Sequence, residues 1–436
     1  MPDPVESPEA LLRASFMAAV AAADPLKVVP GALPVPPKGR TVVVGAGKAA
    51  AAMAKAVETA WPADAPLEGL VVTRYGHGYG DGCGGAPLRR LRVVEAGHPV
   101  PDAAGEAAAH EILALAGSAG SGDLLLALFS GGGSSLLALP LPPLAIAELR
   151  ATTAELLRCG APIQDINAVR KHLSLLQGGR LAALCRAPIE TLLISDVVGD
   201  APTHIASGPT VADPTTYGEA LDILDRYDCR VPSGVRELLA RGAAGALEET
   251  PKSGDAVFAR TRTQVVATAR RSLDAAAEVF RRAGVTPVLL GDDVTGEARE
   301  VAQAHAALVR DILGDRGSHR APVALISGGE CTVTVRNPKG RGGRCAEYLL
   351  ALAIALGEGL PVHGLAADTD GIDGSEDNAG ALLAPDTLAK ARAAGLDAGQ
   401  SLAENDSYGF FAALGALVVT GPTRTNVNDF RAVLIP

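Results

Sequence analysis

The stretch "TVVVGAGKAAAAMAKAVE" (residues 41–58) decides the fold. A short, wholly apolar, β-branched run breaks at Gly-Ala-Gly-Lys and passes into an alanine-rich helical pattern. A strand covered on both faces reads in this way, because a parallel sheet carries helices above and below it. The grammar repeats outward. "GDLLLALFSGGGSSLLALP" (122–140) is again strand, glycine turn, helix, and "LEGLVVTRYG" (67–76), "LRVVEAGHPVPD" (91–102) and "IETLLISDVVGD" (189–200) add strands. The pattern restarts at "TQVVATARRSLDAAAEVFRRAGVTPVLLGDDV" (263–294) and continues through "APVALISGGECTVTV" (321–335), "LPVHGLAADTDGID" (360–373) and "ALVVTGPTRTNVND" (416–429).

With 436 residues the chain exceeds one ordinary core. The polar stretch "LEETPKSGDAV" (247–257) reads as a connection. The expectation is an α/β protein of two domains, 1–255 and 256–436, each a mostly parallel sheet with helices on both faces. The first is Rossmann-like, and the last strand is free to return to it.

The bulk composition narrows the function. Hydrophobic residues make up 48% and charged residues 20%, the balance of a folded globular chain. A net charge of −10 with 3% aromatics argues against a nucleic-acid partner, for want of both a basic surface and stacking rings. The six cysteines (83, 159, 185, 229, 331, 345) form no C-x-x-C pair, which excludes a zinc module and favours a reducing compartment. "SPEA" at 7–10 reads as a capped helix start, not as part of a basic secretion signal. No stretch is long enough to cross a bilayer, so the expected location is cytoplasmic, with no membrane partner.

Several polar clusters fall at strand ends, where α/β enzymes keep their chemistry. Gly45, Gly47 and Ala50 give G-x-G-x-x-A, close to the dinucleotide fingerprint, but no acid ends the next strand, which closes on Thr73 and Arg74. The remaining choices at Lys48 are a plain turn with a solvated lysine, or a helix start whose open N–H groups and ammonium hold an oxyanion. In "FSGGGSS", Ser130, Gly131, Gly132, Gly133, Ser134 and Ser135 suit a phosphate cradle, since consecutive glycines let N–H groups approach a ligand and serines add donors. "SDVVGD" places Asp196 and Asp200 at a strand end, as turn formers, Mg²⁺ ligands or a proton acceptor. Arg344 begins a helix, where a guanidinium takes a carboxylate or phosphate bidentately; Glu347, one turn on, could pair with it instead. Asn405 belongs to a polar set suited to ordering a substrate, although Asn in loops is more often structural.

Taken in order, "GAGKAA", "GHPVPD", "FSGGGSS", "INAVRKHLSLLQGGRLA", "LLISDVVGD", "SGPTVADPTT", "ISGGECTVTV", "GRGGR" and "GPTRTNVND" resemble the glycerate 2-kinase family, whose C-terminal part is the MOFRL domain. The resemblance implies transfer of the γ-phosphoryl group of ATP to the 2-hydroxyl of D-glycerate, with Mg²⁺, giving 2-phospho-D-glycerate and ADP. It places the family's functional lysine on Lys48 and its arginine on Arg344. On this reading both offset phosphate charge, with Arg344 also available to the substrate carboxylate and Asn405 beside it. Loop 130–135 holds other phosphate oxygens. Asp196 accepts the hydroxyl proton while Asp200 helps hold the metal, two roles that can be exchanged, and the active site lies in the interdomain cleft. The chain departs from the family at Cys345 and Ala346, where Asn-Gln is usual. Some relatives are labelled hydroxypyruvate reductases, which keeps an NAD(P)H-dependent reductase as the alternative. A homodimer stays open.

Overall fold

The computed structural model describes residues 7–80, 85–314 and 319–436, and Cys83 lies outside them. The chain separates into two compact units, one of residues 25–266 and one of residues 1–24 with 267–436.

The 25–266 unit holds a six-stranded sheet made of β1 (Thr41–Ala46), β2 (Leu67–Arg74), β3 (Arg92–Ala96), β4 (Leu124–Phe129), β5 (Ile189–Ile194) and β6 (Thr261–Ala267). Their order is β3-β2-β1-β4-β5-β6. The pairs from β3 across to β5 are parallel. This is the Rossmann order, so the first half of the expectation holds. Every residue of β1 and β4 is buried, which is why both read as unbroken apolar runs. The helices Ala50–Ala60 and Ala103–Ser118 help to cover the sheet, the second capped by Asp102, whose side chain accepts from Gly105 N–H. The order reverses between β1 and β4, leaving a crevice at their carboxyl ends.

The second unit corrects the first reading in three respects. Its sheet joins β7 (Thr286–Gly291), β9 (Val323–Ser327), β11 (His363–Asp368), β12 (Gly380–Leu383), β13 (Leu417–Val418) and β14 (Asp429–Ile435) in the order β13-β12-β11-β14-β9-β7. Only β7 and β9 run parallel; the other pairs are antiparallel. The segment between β11 and β12 holds no helix, and a parallel neighbour would have needed a crossover. A small separate ladder pairs β8 (Gly296–Glu297) with β10 (Cys331–Thr332).

Secondly, β14 does not return to the first unit; it lies inside the second sheet between β11 and β9. Thirdly, the boundary falls at 266/267, not 255, and the N-terminal helix Pro8–Ala22 belongs to the second unit. That helix is capped by Ser7, as the sequence suggests, and buries Leu11, Leu12, Phe16, Ala19 and Val20. Those side chains pack on Leu273, Ala276, Ala277 and Phe280, the apolar stripe of the helix Ala269–Arg282, and Phe16 meets Phe430 at 5.8 Å. A stripe at i, i+3, i+4 and i+7 must be covered by something, and the first fifteen helical residues do so.

Candidate functional site

At the switch point of the first sheet the loops after β1 and β4 interlock. Lys48 N–H donates to Gly131 O at 2.8 Å, Ala49 N–H to Ser130 Oγ at 3.0 Å, and Ser130 N–H to Ala46 O at 3.1 Å. Gly47 N–H goes to Val72 O and Ala50 N–H to Gly47 O. The four successive N–H groups of residues 47 to 50 therefore already have acceptors, and the donors left open at this helix start are those of Ala51 and Ala52. The glycines serve another purpose: a Cβ on Gly45 would collide with Leu128 O, and one on Gly47 with Ser130. They let the two loops touch.

The loop after β4 carries open donors as well. Among the described residues, the N–H groups of Gly131 and Gly132 meet no acceptor. Gly132 is left-handed (φ +78°), and a Cβ there would stand 2.8 Å from His98 Nε2 and 3.5 Å from Lys48 Cγ. Lys48, His98 and the Gly131–Gly132 backbone thus share one corner of this unit. His98, a polar ring in "GHPVPD" just past the end of β3, is a neighbour that the sequence reading does not single out.

The serines of the loop also make contacts within the fold. Ser130 is fully buried with its hydroxyl on Ala49 N–H, and Ser135 Oγ donates to Gly132 O at 3.1 Å. Ser134 Oγ lies 2.8 Å from Ser207 Oγ, and its carbonyl accepts from Gln177 Nε2 at 2.8 Å. Gly133 needs its missing Cβ because that atom would meet the Ala206 methyl at 2.6 Å.

Asp196 and Asp200 follow β5, which runs beside β4 in parallel, so both lie beyond the carboxyl edge that also carries Lys48. Both are half-buried. Asp200 is left-handed (φ +53°) and closes a turn by donating its N–H to Val197 O. Among the described residues no group of three or more His, Cys, Asp or Glu side chains is arranged to hold a metal ion. A Mg²⁺ arriving on a nucleotide asks the protein for only one or two carboxylates, and this loop offers two.

In the other unit, Arg344 opens the helix Arg344–Leu356 with three carboxylate partners. Its Nε donates to Asp429 Oδ1 at 2.6 Å, Nη2 to Asp368 Oδ2 at 2.8 Å and Nη1 to Glu330 Oε1 at 2.6 Å. Burial opposes its charge, but Asp429, Asp368 and Glu330 outweigh that and hold its pKa well above the ordinary value. Glu347 does not pair with it. Glu347 binds Arg299 Nε at 2.7 Å and Asn405 Nδ2 at 2.9 Å, while Asn405 Oδ1 accepts from Arg336 N–H at 2.8 Å. All of Asn405 is spent in tying loop to helix, a structural role in place of the substrate contact expected for it. The first N–H groups of this helix are capped by buried Asp373, which accepts from Cys345 N–H at 3.0 Å and Ala346 N–H at 2.8 Å.

Comparison with known proteins adds to this geometry. Residues 11–240 match the family described as a domain of unknown function, DUF4147, and residues 323–429 match the MOFRL family. A protein of Agrobacterium vitis provisionally named hydroxypyruvate reductase is 48% identical, covering 98% of this chain and 94% of its own. The glycerate 2-kinase of Pyrococcus horikoshii is 37% identical, covering 96% and 95%. The crystal structure of glycerate kinase from Thermotoga maritima superposes with a TM-score of 0.84 at 35% identity, covering 98% of this chain and all of that one.

Proposed function

The chain belongs to the glycerate 2-kinase family, and from that membership we propose that it phosphorylates D-glycerate at the 2-hydroxyl with ATP. The observation that carries the nucleotide half of this reading is the pair of unaccepted N–H groups at Gly131 and Gly132 beside Lys48. Phosphoryl transfer needs positioning and charge neutralisation more than covalent help from the protein. The two N–H groups hold phosphate oxygens, and the Lys48 ammonium offsets charge that builds on the transferred group. The 2-hydroxyl oxygen attacks the γ-phosphorus, a new O–P bond forms, the bond to the β,γ-bridging oxygen breaks, and ADP leaves. The hydroxyl proton passes to a carboxylate, assigned to Asp196. A Mg²⁺ on the nucleotide would be held by Asp200, where it would neutralise phosphate charge, and the two carboxylates can exchange these roles. Arg344, oriented by Asp368 and Asp429, is the cation assigned to an anionic group of the substrate.

Among the described residues no helix is long and apolar enough to cross a membrane. The cytoplasmic placement is part of this proposal and rests on the spacing of the six cysteines, which form no C-x-x-C pair.

A nicotinamide-dependent hydroxypyruvate reductase is the second reading, favoured by the names of some relatives and by the fingerprint at 45–50. It requires open N–H groups at the helix start after β1 to hold a pyrophosphate. The N–H groups of residues 47 to 50 are taken, and β2 closes on Thr73 and Arg74 with no acid for a ribose, which ranks it second. Incubation with ATP, Mg²⁺ and D-glycerate, read by phosphorus NMR, tests the proposal: 2-phosphoglycerate should appear, and Lys48→Met should lower turnover by about 100-fold or more. Oxidation of NAD(P)H by hydroxypyruvate with no phosphoglycerate formed, or full turnover in Lys48→Met, overturns it.

A further inference from the structure

The loop "THIASGPT" (203–210) makes contacts that the reaction scheme does not use. Ala206, Ser207 and Gly208 are three successive left-handed residues (φ +51°, +58° and +59°), and two of them carry side chains. Such backbone persists only where its surroundings impose it, and it gathers at functional sites. Here Gly178 N–H donates to Ser207 O at 2.9 Å and Gly179 N–H to Gly208 O at 2.7 Å. The conformation sets the Ala206 methyl against Gly133 and the Ser207 hydroxyl against Ser134.

The direction of those hydroxyl bonds follows from counting protons. Ser207 is fully buried, and its single hydroxyl proton goes to Asn167 Oδ1 at 3.2 Å. A hydroxyl has one proton, so Ser207 must accept from Ser134. The Ser134 proton is then spent inward and is not available to a phosphate oxygen. Ser134 is held at both ends, through its hydroxyl by Ser207 and through its carbonyl by Gln177. Gly131 and Gly132 lie in the same loop, separated from Ser134 by Gly133 alone, and theirs are its open N–H groups.

We propose that Ser207 is a positioning residue for nucleotide phosphates, fixing the Gly131 and Gly132 N–H groups through Ser134. Ser134 is on this account an anchor and not a phosphate ligand. The inference rests on the kinase reading for its ligand.

The test is a double-mutant cycle in the full chain with Ser134→Ala, Ser207→Ala and the pair, plus Ser207→Gly. KM for ATP, KM for D-glycerate, kcat, calorimetric ATP affinity and melting temperature are measured for each. Ser207→Ala should raise the KM for ATP about tenfold with the KM for D-glycerate within about twofold, and the double variant should be no worse than either single one. Ser207→Gly relaxes the left-handed backbone but still lacks the hydroxyl. It should melt no lower than Ser207→Ala and show the same loss for ATP. If the ATP effects of Ser134→Ala and Ser207→Ala multiply, or if both substrates weaken together with melting temperature, Ser207 is structural and the proposal falls. A wild-type chain that forms no phosphoglycerate, yet loses ATP affinity on Ser207→Ala, would sink the glycerate reading and leave this one standing. An active wild type with unchanged ATP affinity in Ser207→Ala does the reverse.

Discussion

Asp368 and Asp429 stand directly opposite one another across β11 and β14, both buried, and Arg344 bridges them. Like charges in facing positions of a sheet repel, so this pair exists only because cations hold it. Arg344 takes one oxygen of each, and Arg431 Nη2 takes the second oxygen of Asp429 at 2.7 Å. Arg344→Met should therefore abolish turnover and also destabilise the second unit, by about 3–5 kcal/mol, the cost of an uncompensated buried charge. Adding Asp368→Asn should recover part of that stability in chemical denaturation without recovering turnover. A fully stable Arg344→Met chain would remove the bridging role.

The third partner of Arg344 differs from the other two. The Glu330 side chain is 51% exposed, whereas those of Asp368 and Asp429 are 5% and 0%. An exposed partner contributes little to stability. Glu330→Gln should leave the unfolding free energy within about 0.5 kcal/mol. If Arg344 receives the substrate carboxylate, the same change removes an internal competitor and lowers the KM for D-glycerate a few-fold. An unchanged KM for D-glycerate would assign Arg344 to another part of the reaction.

What could be read from the sequence followed burial. β1 and β4 announced themselves because strands covered on both faces are continuous apolar runs, and the glycine breaks marked the edge where Lys48 and the 130–135 loop lie. What failed depended on distant partners. Nothing near Ala49 indicates that its N–H is taken by Ser130, 81 residues away, or that Asp368 and Asp429 reach Arg344 from 24 and 85 residues further on. The direction of β14 and the docking of the N-terminal helix were hidden for the same reason: each is chosen by a surface formed elsewhere in the chain.

The interlocked loops make Gly47 a sharp test. Its φ is +137°, and any Cβ would collide with Ser130, whose hydroxyl caps Ala49 N–H. Gly47→Ala should cost on the order of 2–4 kcal/mol and weaken ATP binding, because the Gly131–Gly132 segment must shift. Gly31, with open space around its Cα, is the control: Gly31→Ala should be neutral or slightly stabilising. Equal melting temperatures for the two variants would mean that the loops do not depend on this contact.

Two buried groups of the second unit oppose each other in pH dependence. Burial pushes the Asp373 carboxyl up to about 7, against the pull of the Ala346 and Cys345 N–H groups it accepts and despite nearby Arg344. Burial pulls His305, bonded to Tyr348 Oη at 2.7 Å, down to about 4. Between about pH 4 and 7 folded Asp373 keeps a proton that the unfolded chain has released, so its stabilisation is present in acid and lost as pH rises through 7. Between about pH 6.5 and 4 unfolded His305 takes up a proton that the folded ring refuses, so its stabilisation is present above 6.5 and lost as pH falls towards 4. Each effect is on the order of 3 kcal/mol, and the two largely cancel over the shared window. Asp373→Asn should uncover the histidine, giving an unfolding free energy that climbs from pH 4 to 6.5 relative to wild type. His305→Gln should uncover the aspartate, giving one that declines across the same range. Urea denaturation of the three chains at half-unit pH steps distinguishes these slopes, and parallel profiles for both variants and wild type would show that neither group titrates in this window.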